Sequence, residues 1–239
     1  MNKFIFLLVI SFPVIGYSQL ARYAGSDGIP RYREILNLSG EAIPVGNTSN
    51  IEGTPFLQPF WGFGIVTLTD GSVFSDSAIN YSLSDGKLFV KRNTNIYSIK
   101  HPVKEFLIHD PKAVNESKAY HFQNGYPAIK KKDVTTFYEV LSAGQSMQLL
   151  KWKHKKVEEI NNYGGPVQSK YSLVQEFFIF DPKENKLLEL GTSVSLKLLT
   201  KKLPEYADKI LEYSSAHTLN LKKDKDLIRL FSFLENTKQ

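Results

Sequence analysis

From residue 64 to residue 92 the chain reads GIVTLTDGSVFSDSAINYSLSDGKLFVKR, with apolar and polar residues alternating around two Asp-Gly pairs. Val66 and Leu68 fall on one side of that pattern, Thr67 and Thr69 on the other. Ile79, Tyr81 and Leu83 alternate with Asn80, Ser82 and Ser84, and Leu88 and Val90 with Lys87 and Lys91. A period of two is that of a strand whose faces differ in wetness. Asp70-Gly71 and Asp85-Gly86 are predicted to be hairpin turns of type I′, because Asp and Gly tolerate positive φ. The pattern continues at 96–99 and, past His101-Pro102, at 103–108. Further strands are predicted at 119–122, 136–142, 146–153, 172–180 and 186–190, with hairpins at Ala143-Gly144 and around DPKEN. Between them, KKVEEINNYGGPVQSK reads as a loop because of Gly164-Gly165-Pro166.

After Gly191 the period lengthens. Leu196, Leu199 and Leu203 recur at helical spacing, with Thr192 or Ser193 as the predicted cap. Pro204 opens a second helix striped by Ala207, Ile210 and Leu211. Asn220 is the predicted cap of a third, striped by Leu227, Leu230, Phe231 and Leu234. Strands followed by helices make an α+β plan: an antiparallel β meander, then a short C-terminal bundle of about three helices.

The first residues differ from the rest. Asn2-Lys3 precedes an apolar run from Phe4 to Ile15, then Gly16-Tyr17-Ser18-Gln19. Small residues at 16 and 18 suit a signal peptidase that leaves Gln19 as the new N-terminus, and the run is shorter than the roughly 20 residues of a membrane span. The expected organisation is therefore a signal peptide at 1–18 and an irregular lead-in at 19–54 with a short helix around 31–37. A β-rich domain at 55–191 follows, with a helical segment at 192–239 packed on the sheet.

Cysteine is absent from the sequence, which removes disulfides, thiolate nucleophiles and cysteine metal sites. The formal charge is +6, with basic runs at Lys130-Lys131-Lys132 and in KWKHKK at 151–156. In an exported protein such runs suit an envelope protein or an anionic glycan or lipid surface rather than nucleic acid; the plain alternative is a solvated face.

No residue is singled out as catalytic. The five histidines, His101, His109, His121, His154 and His217, form no HExxH pattern and no close pair. His109-Asp110 precedes Pro111 and reads as a strand end with a turn-capping Asp. The chain holds no GxSxG, Walker A or GxGxxG motif. Trp61-Gly62-Phe63-Gly64 offers aromatics that sugars could stack on; the plain alternative is core packing or an edge cap. No cofactor and no metal is expected.

Six segments carry a resemblance: GYSQ, GTPFL at 53–57, GIVTLTDGSVF at 64–74, INYSL at 79–83, FYEVLSAGQSMQLLK at 137–151 and KKDKDLIRLFSFLEN at 222–236. In these the chain resembles a family of secreted proteins of Bacteroidota-type bacteria that has no assigned activity. The resemblance implies export and the strands-then-helices layout, and it gives no residue a role. The resulting expectation is a non-catalytic exported envelope protein that binds or scaffolds a partner. A hydrolase with a dispersed site and a carrier of an apolar ligand are the alternatives.

Overall fold

The computed structural model describes residues 33–34, 39–43, 51–110, 119–160 and 168–237. The expected signal peptide, its cleavage site and Gly164-Gly165-Pro166 lie outside the described residues. The chain divides at Arg33/Glu34, and the unit Glu34–Gln239 holds nearly all of the described residues.

Strands dominate and helices close the chain. The two-residue β1 (Arg33–Glu34) lies at the boundary, so these two residues are extended where a helix was expected. Then come β2 (Ser39–Ile43), β3 (Ile51–Glu52), β4 (Gly62–Leu68), β5 (Val73–Ser82), β6 (Lys87–Arg92) and β7 (Asn95–Ile99). They are followed by β8 (Val103–His109), β9 (Ala119–Gln123), β10 (Tyr138–Ala143), β11 (Gln148–Ile160), β12 (Gln168–Asp181) and β13 (Lys186–Gly191). Helices α1 (Leu196–Lys202), α2 (Ala207–Ala216) and α3 (Asp224–Asn236) follow, with a 3-10 turn at Pro204–Tyr206 before α2.

The sheet runs β13-β12-β11-β10-β9-β8-β4-β5-β6-β7-β2. It departs from a plain meander in three ways. β8 crosses over to pair with β4, β2 from the lead-in closes the edge beside β7, and β3 pairs parallel with β12. The lead-in was expected to be irregular. Its turn-rich composition hides short strands, because an extended segment satisfies its backbone groups at a sheet edge without needing alternation.

The sheet also curls. Pro55 and Leu57 exchange backbone hydrogen bonds with Leu83 and Tyr81, and the Lys155 N–H donates to the Leu83 carbonyl at 3.1 Å. That bond links β11 back to the end of β5, so β5-β4-β8-β9-β10-β11 form a ring. Its interior is filled by Val66, Phe74, Ile79, Tyr81, Phe106 and Phe122. The Tyr81 ring lies 5.1 Å from both Phe106 and Phe122.

Both Asp-Gly pairs turn hairpins, but neither as a two-residue type I′ loop. Thr69-Asp70-Gly71 makes a three-residue loop with Gly71 at φ +86° and Asp70 Oδ1 accepting from Ser72 N–H at 2.8 Å. Leu83 to Gly86 makes a four-residue loop with only Gly86, at φ +67°, left-handed. A loop of that length needs one positive-φ residue at its end, and Asn185 supplies it in the matching β12–β13 turn. β11 reaches Ile160, and β12 starts at Gln168, so all of KKVEEINNYGGPVQSK outside 161–167 is strand and not loop. Cross-strand pairing from Val157↔Tyr171 to Ile160↔Gln168 overrides its composition.

The helices share a core with the sheet, and their boundaries are shifted from those predicted. Ser195 caps α1, accepting from Leu198 N–H at 3.2 Å, in place of Thr192 or Ser193. Val194 before the cap and Leu199 at the end of the first turn share one core, a staple that sets the start two or three residues later. In α2 the buried face is Ile210 and Ser214, and Leu211 is 50% exposed. α3 starts at Asp224, not beside Asn220, whose Oδ1 caps the preceding turn by accepting from Lys222 N–H. Leu227, Leu230, Phe231 and Leu234 are buried with Leu149, Phe177 and Ile179 of β11 and β12. Among the described residues no helix is long and apolar enough to cross a membrane.

Candidate functional site

Pairing register decides where the KWKHKK run points. Residues directly opposite in an antiparallel pair share a face. Lys151 pairs with Phe177 and with Glu139, and Glu139 pairs with Phe122. Lys151, Lys153 and Lys155 therefore stand on the face that carries both the ring interior and the helix-covered core. Trp152, His154 and Lys156 stand on the other. The run is not one solvated face: three of its lysines are turned toward the body of the protein.

Between the two apolar clusters this face leaves a polar seam. Lys153 Nζ sits 2.7 Å from Glu139 Oε2, each side chain 10% exposed. Lys151, 3% exposed, pairs with Asp224 at the start of α3. The two ammonium groups also lie over aromatic rings, Lys151 Nζ 5.1 Å from the Phe177 centroid and Lys153 Nζ 5.1 Å from that of Tyr120. Rings of this kind stabilise a cation removed from water. Burial pulls the Lys153 ammonium below the usual lysine range, with Glu139 opposing the shift. The Tyr120 hydroxyl accepts from Gln58 Nε2 at 2.6 Å, which fixes the ring beneath Lys153.

Above the seam is an open cleft of about 500 Å³, lined by these residues with Gln175, Lys222, Lys223 and Lys225. Lys222, Lys223 and Lys225 are exposed at its rim. Five lysines face two carboxylates, leaving a formal charge of +3. A charged floor held by the sheet and an exposed cationic rim can bind an oxyanion, with Gln175 available to a neutral polar group.

The other residues of interest are dispersed. Lys155 Nζ donates to the carbonyls of Thr54 and Phe56 and ties the lead-in to β11. Lys130 and Lys132 pair with Glu189 and Glu176, and Lys132 lies 4.1 Å over the Trp152 ring, so the triple-lysine run is divided between partners. Trp61 packs at 5.3 Å on Phe56, ahead of a strand that lies between β8 and β5, and Phe63 is exposed beside His109. A Cβ on Gly64 would lie 1.7 Å from Ile79 Cδ1, so this glycine lets β4 pass under Ile79. His121 contacts Glu105 at 3.1 Å, and His217 stacks on Tyr213. Among the described residues no group of three or more His, Cys, Asp or Glu side chains could hold a metal ion. Asp70 and Asp85 remain at their turns and do not meet in a cleft.

Glu139, Lys151, Lys153, Asp224 and the rim lysines were not singled out as a site from the sequence. The signal was present in two places, the lysines at every second position of KWKHKK and the KKDK preceding the α3 stripe, but only the tertiary fold joins them. No protein family, curated protein or solved structure matches this chain.

Proposed function

We propose that this is an exported, non-catalytic envelope protein whose lysine cleft binds the anionic groups of a glycan. The observation that carries the reading is the cleft itself, five lysines converging from β11 and the α3 entry around a volume of small-ligand size. Export enters from the signal-like start of the sequence, and the envelope offers anionic saccharides as partners. Exposed rim lysines act over the Debye length, roughly 8 Å at physiological salt, and so draw an anion toward the buried pair.

The test is binding of the purified protein to polygalacturonate and dextran sulfate, with neutral dextran as control. The charged polymers are retained, retention falls with salt, and Lys222→Gln/Lys223→Gln/Lys225→Gln removes most of it. Equal retention of neutral dextran, or unchanged binding by the triple variant, overturns the reading.

A dispersed-site hydrolase is the second reading, favoured by one observation: Glu139 and Asp224 line the same cleft. It ranks lower because each carboxylate is already engaged by a lysine. Turnover of a glycan that Glu139→Gln abolishes would reverse the order. The filled ring interior offers no argument for an apolar carrier.

A further inference from the structure

The two ion pairs in the cleft are built differently. Glu139 and Lys153 both stand on the sheet, on neighbouring strands, and are equally buried, each 10% exposed. Lys151 faces Glu139 directly in register, yet its partner comes from another element, the first residue of α3. That pair is lopsided, since Lys151 is 3% exposed and Asp224 is 44% exposed. Asp224 also stands as the one carboxylate within a cationic run, Lys222-Lys223-Asp224-Lys225.

We propose that Lys151 is the primary oxyanion site of the cleft and that the Asp224 carboxylate is its internal occupant, displaced by a phosphate or carboxylate group of the ligand. This rests on the anionic-glycan reading above. Lys151 cannot turn to solvent, because it is buried between Glu139, Phe177 and the start of α3, and a buried ammonium needs a counter-charge. Asp224 can leave. Its side chain is short and nearly half exposed, and little packing is lost when it rotates away. Once out of the pair it remains in the first turn of a 13-residue helix, where the helix dipole favours an anion. An incoming oxyanion replaces one negative charge beside Lys151 with another. The exchange leaves the buried charge compensated throughout, and Lys222, Lys223 and Lys225 contact the remaining oxygens of the ligand.

The experiment uses the full chain and follows its melting temperature during titration with inorganic phosphate or sodium glucuronate at constant ionic strength. Three proteins are compared: wild type, Asp224→Asn, and Lys151→Met/Asp224→Asn. Removing the internal competitor tightens the apparent affinity of Asp224→Asn for phosphate or glucuronate by about ten-fold or more, the factor recovered when the free site was populated a tenth of the time. Lys151→Met/Asp224→Asn loses the response. Should Asp224→Asn fail to fold, the wild-type Asp224 carboxylate is followed by carbon-13 NMR, and its shift moves with ligand occupancy. An Asp224→Asn response equal to that of wild type, a response surviving in the double variant, or an Asp224 signal that stays put at saturating ligand overturns the proposal. If polymer binding depends on the rim lysines while Asp224→Asn gains nothing, the occupant idea fails and the glycan reading stands. If no anion binds any form, both fail.

Discussion

Leu230→Ala tests whether the helices and sheet share one core. Leu230 is fully buried on α3, in the same cluster as Leu149, Phe177 and Ile179 of the sheet and Leu199 and Ile210 of the other helices. Truncation to alanine removes three carbon groups from a dry site, worth about 2.4 kcal/mol at roughly 0.8 kcal/mol each. These cluster members come from four other elements and cannot all collapse inward, so a cavity contribution adds to the transfer loss. The expected cost is about 3–5 kcal/mol, within the range of buried leucine truncations. At about 2–4 °C per kcal/mol for a chain of this size, melting falls by roughly 6–20 °C in one cooperative transition. Urea unfolding followed by both tryptophan fluorescence and far-UV circular dichroism checks this. Trp61 and Trp152 lie in the β portion, so a tryptophan transition that stays put while helical signal is lost refutes the single core. Limited proteolysis that removes residues 192–239 and leaves the melting temperature unchanged refutes it independently.

Four further outcomes follow from particular contacts. Gly64→Ala places a methyl group 1.7 Å from Ile79 Cδ1 and 2.6 Å from the Leu107 carbonyl oxygen, and costs about 3 kcal/mol or more, read from chemical denaturation; a neutral result refutes the close strand crossing. Gly86→Val forces a β-branched residue to φ +67°, where a Cβ meets only the Tyr81 hydroxyl at an ordinary 3.9 Å, so it costs about 1–3 kcal/mol, chiefly by backbone strain, and a Tm within 1 °C of wild type contradicts the left-handed loop. The His121 hydrogen bond holds the Glu105 carboxyl below its ordinary 4.5, so its stabilisation is complete above that value and disappears as pH falls through the lowered folded value. The stability advantage of wild type over Glu105→Gln, about 1 kcal/mol or less for this part-exposed pair and read from denaturation midpoints, is therefore present at pH 6 and shrinks toward pH 3; a constant difference contradicts the assignment. Protein recovered from the envelope fraction has an intact mass beginning at Gln19, and a product that retains residues 1–18 overturns export.

Local pattern by itself determined most of the elements. Alternation at Val66, Leu68, Ile79, Tyr81, Leu88 and Val90 specifies both the strands and their inward face, because a one-residue slip would expose every one of them. The stripe Leu227, Leu230, Phe231 and Leu234 likewise specifies a buried helix face. Turn positions were legible too, since glycines 71 and 86 answer a local demand for positive φ. What only the tertiary structure decided is everything that depends on long-range pairing. The strand character of 154–160 comes from its partner β12, the edge role of β2 from β7, and the curl of the sheet from Leu83 meeting Lys155. The cleft belongs to this second group. Lysines at 151 and 153 read as surface charge because a solvated lysine needs no partner, and their alternation shows a shared face without showing what that face meets. Their partners, Glu139 and Asp224, arrive from a neighbouring strand and from a helix more than seventy residues on, and it is that arrival which lets the charges be buried.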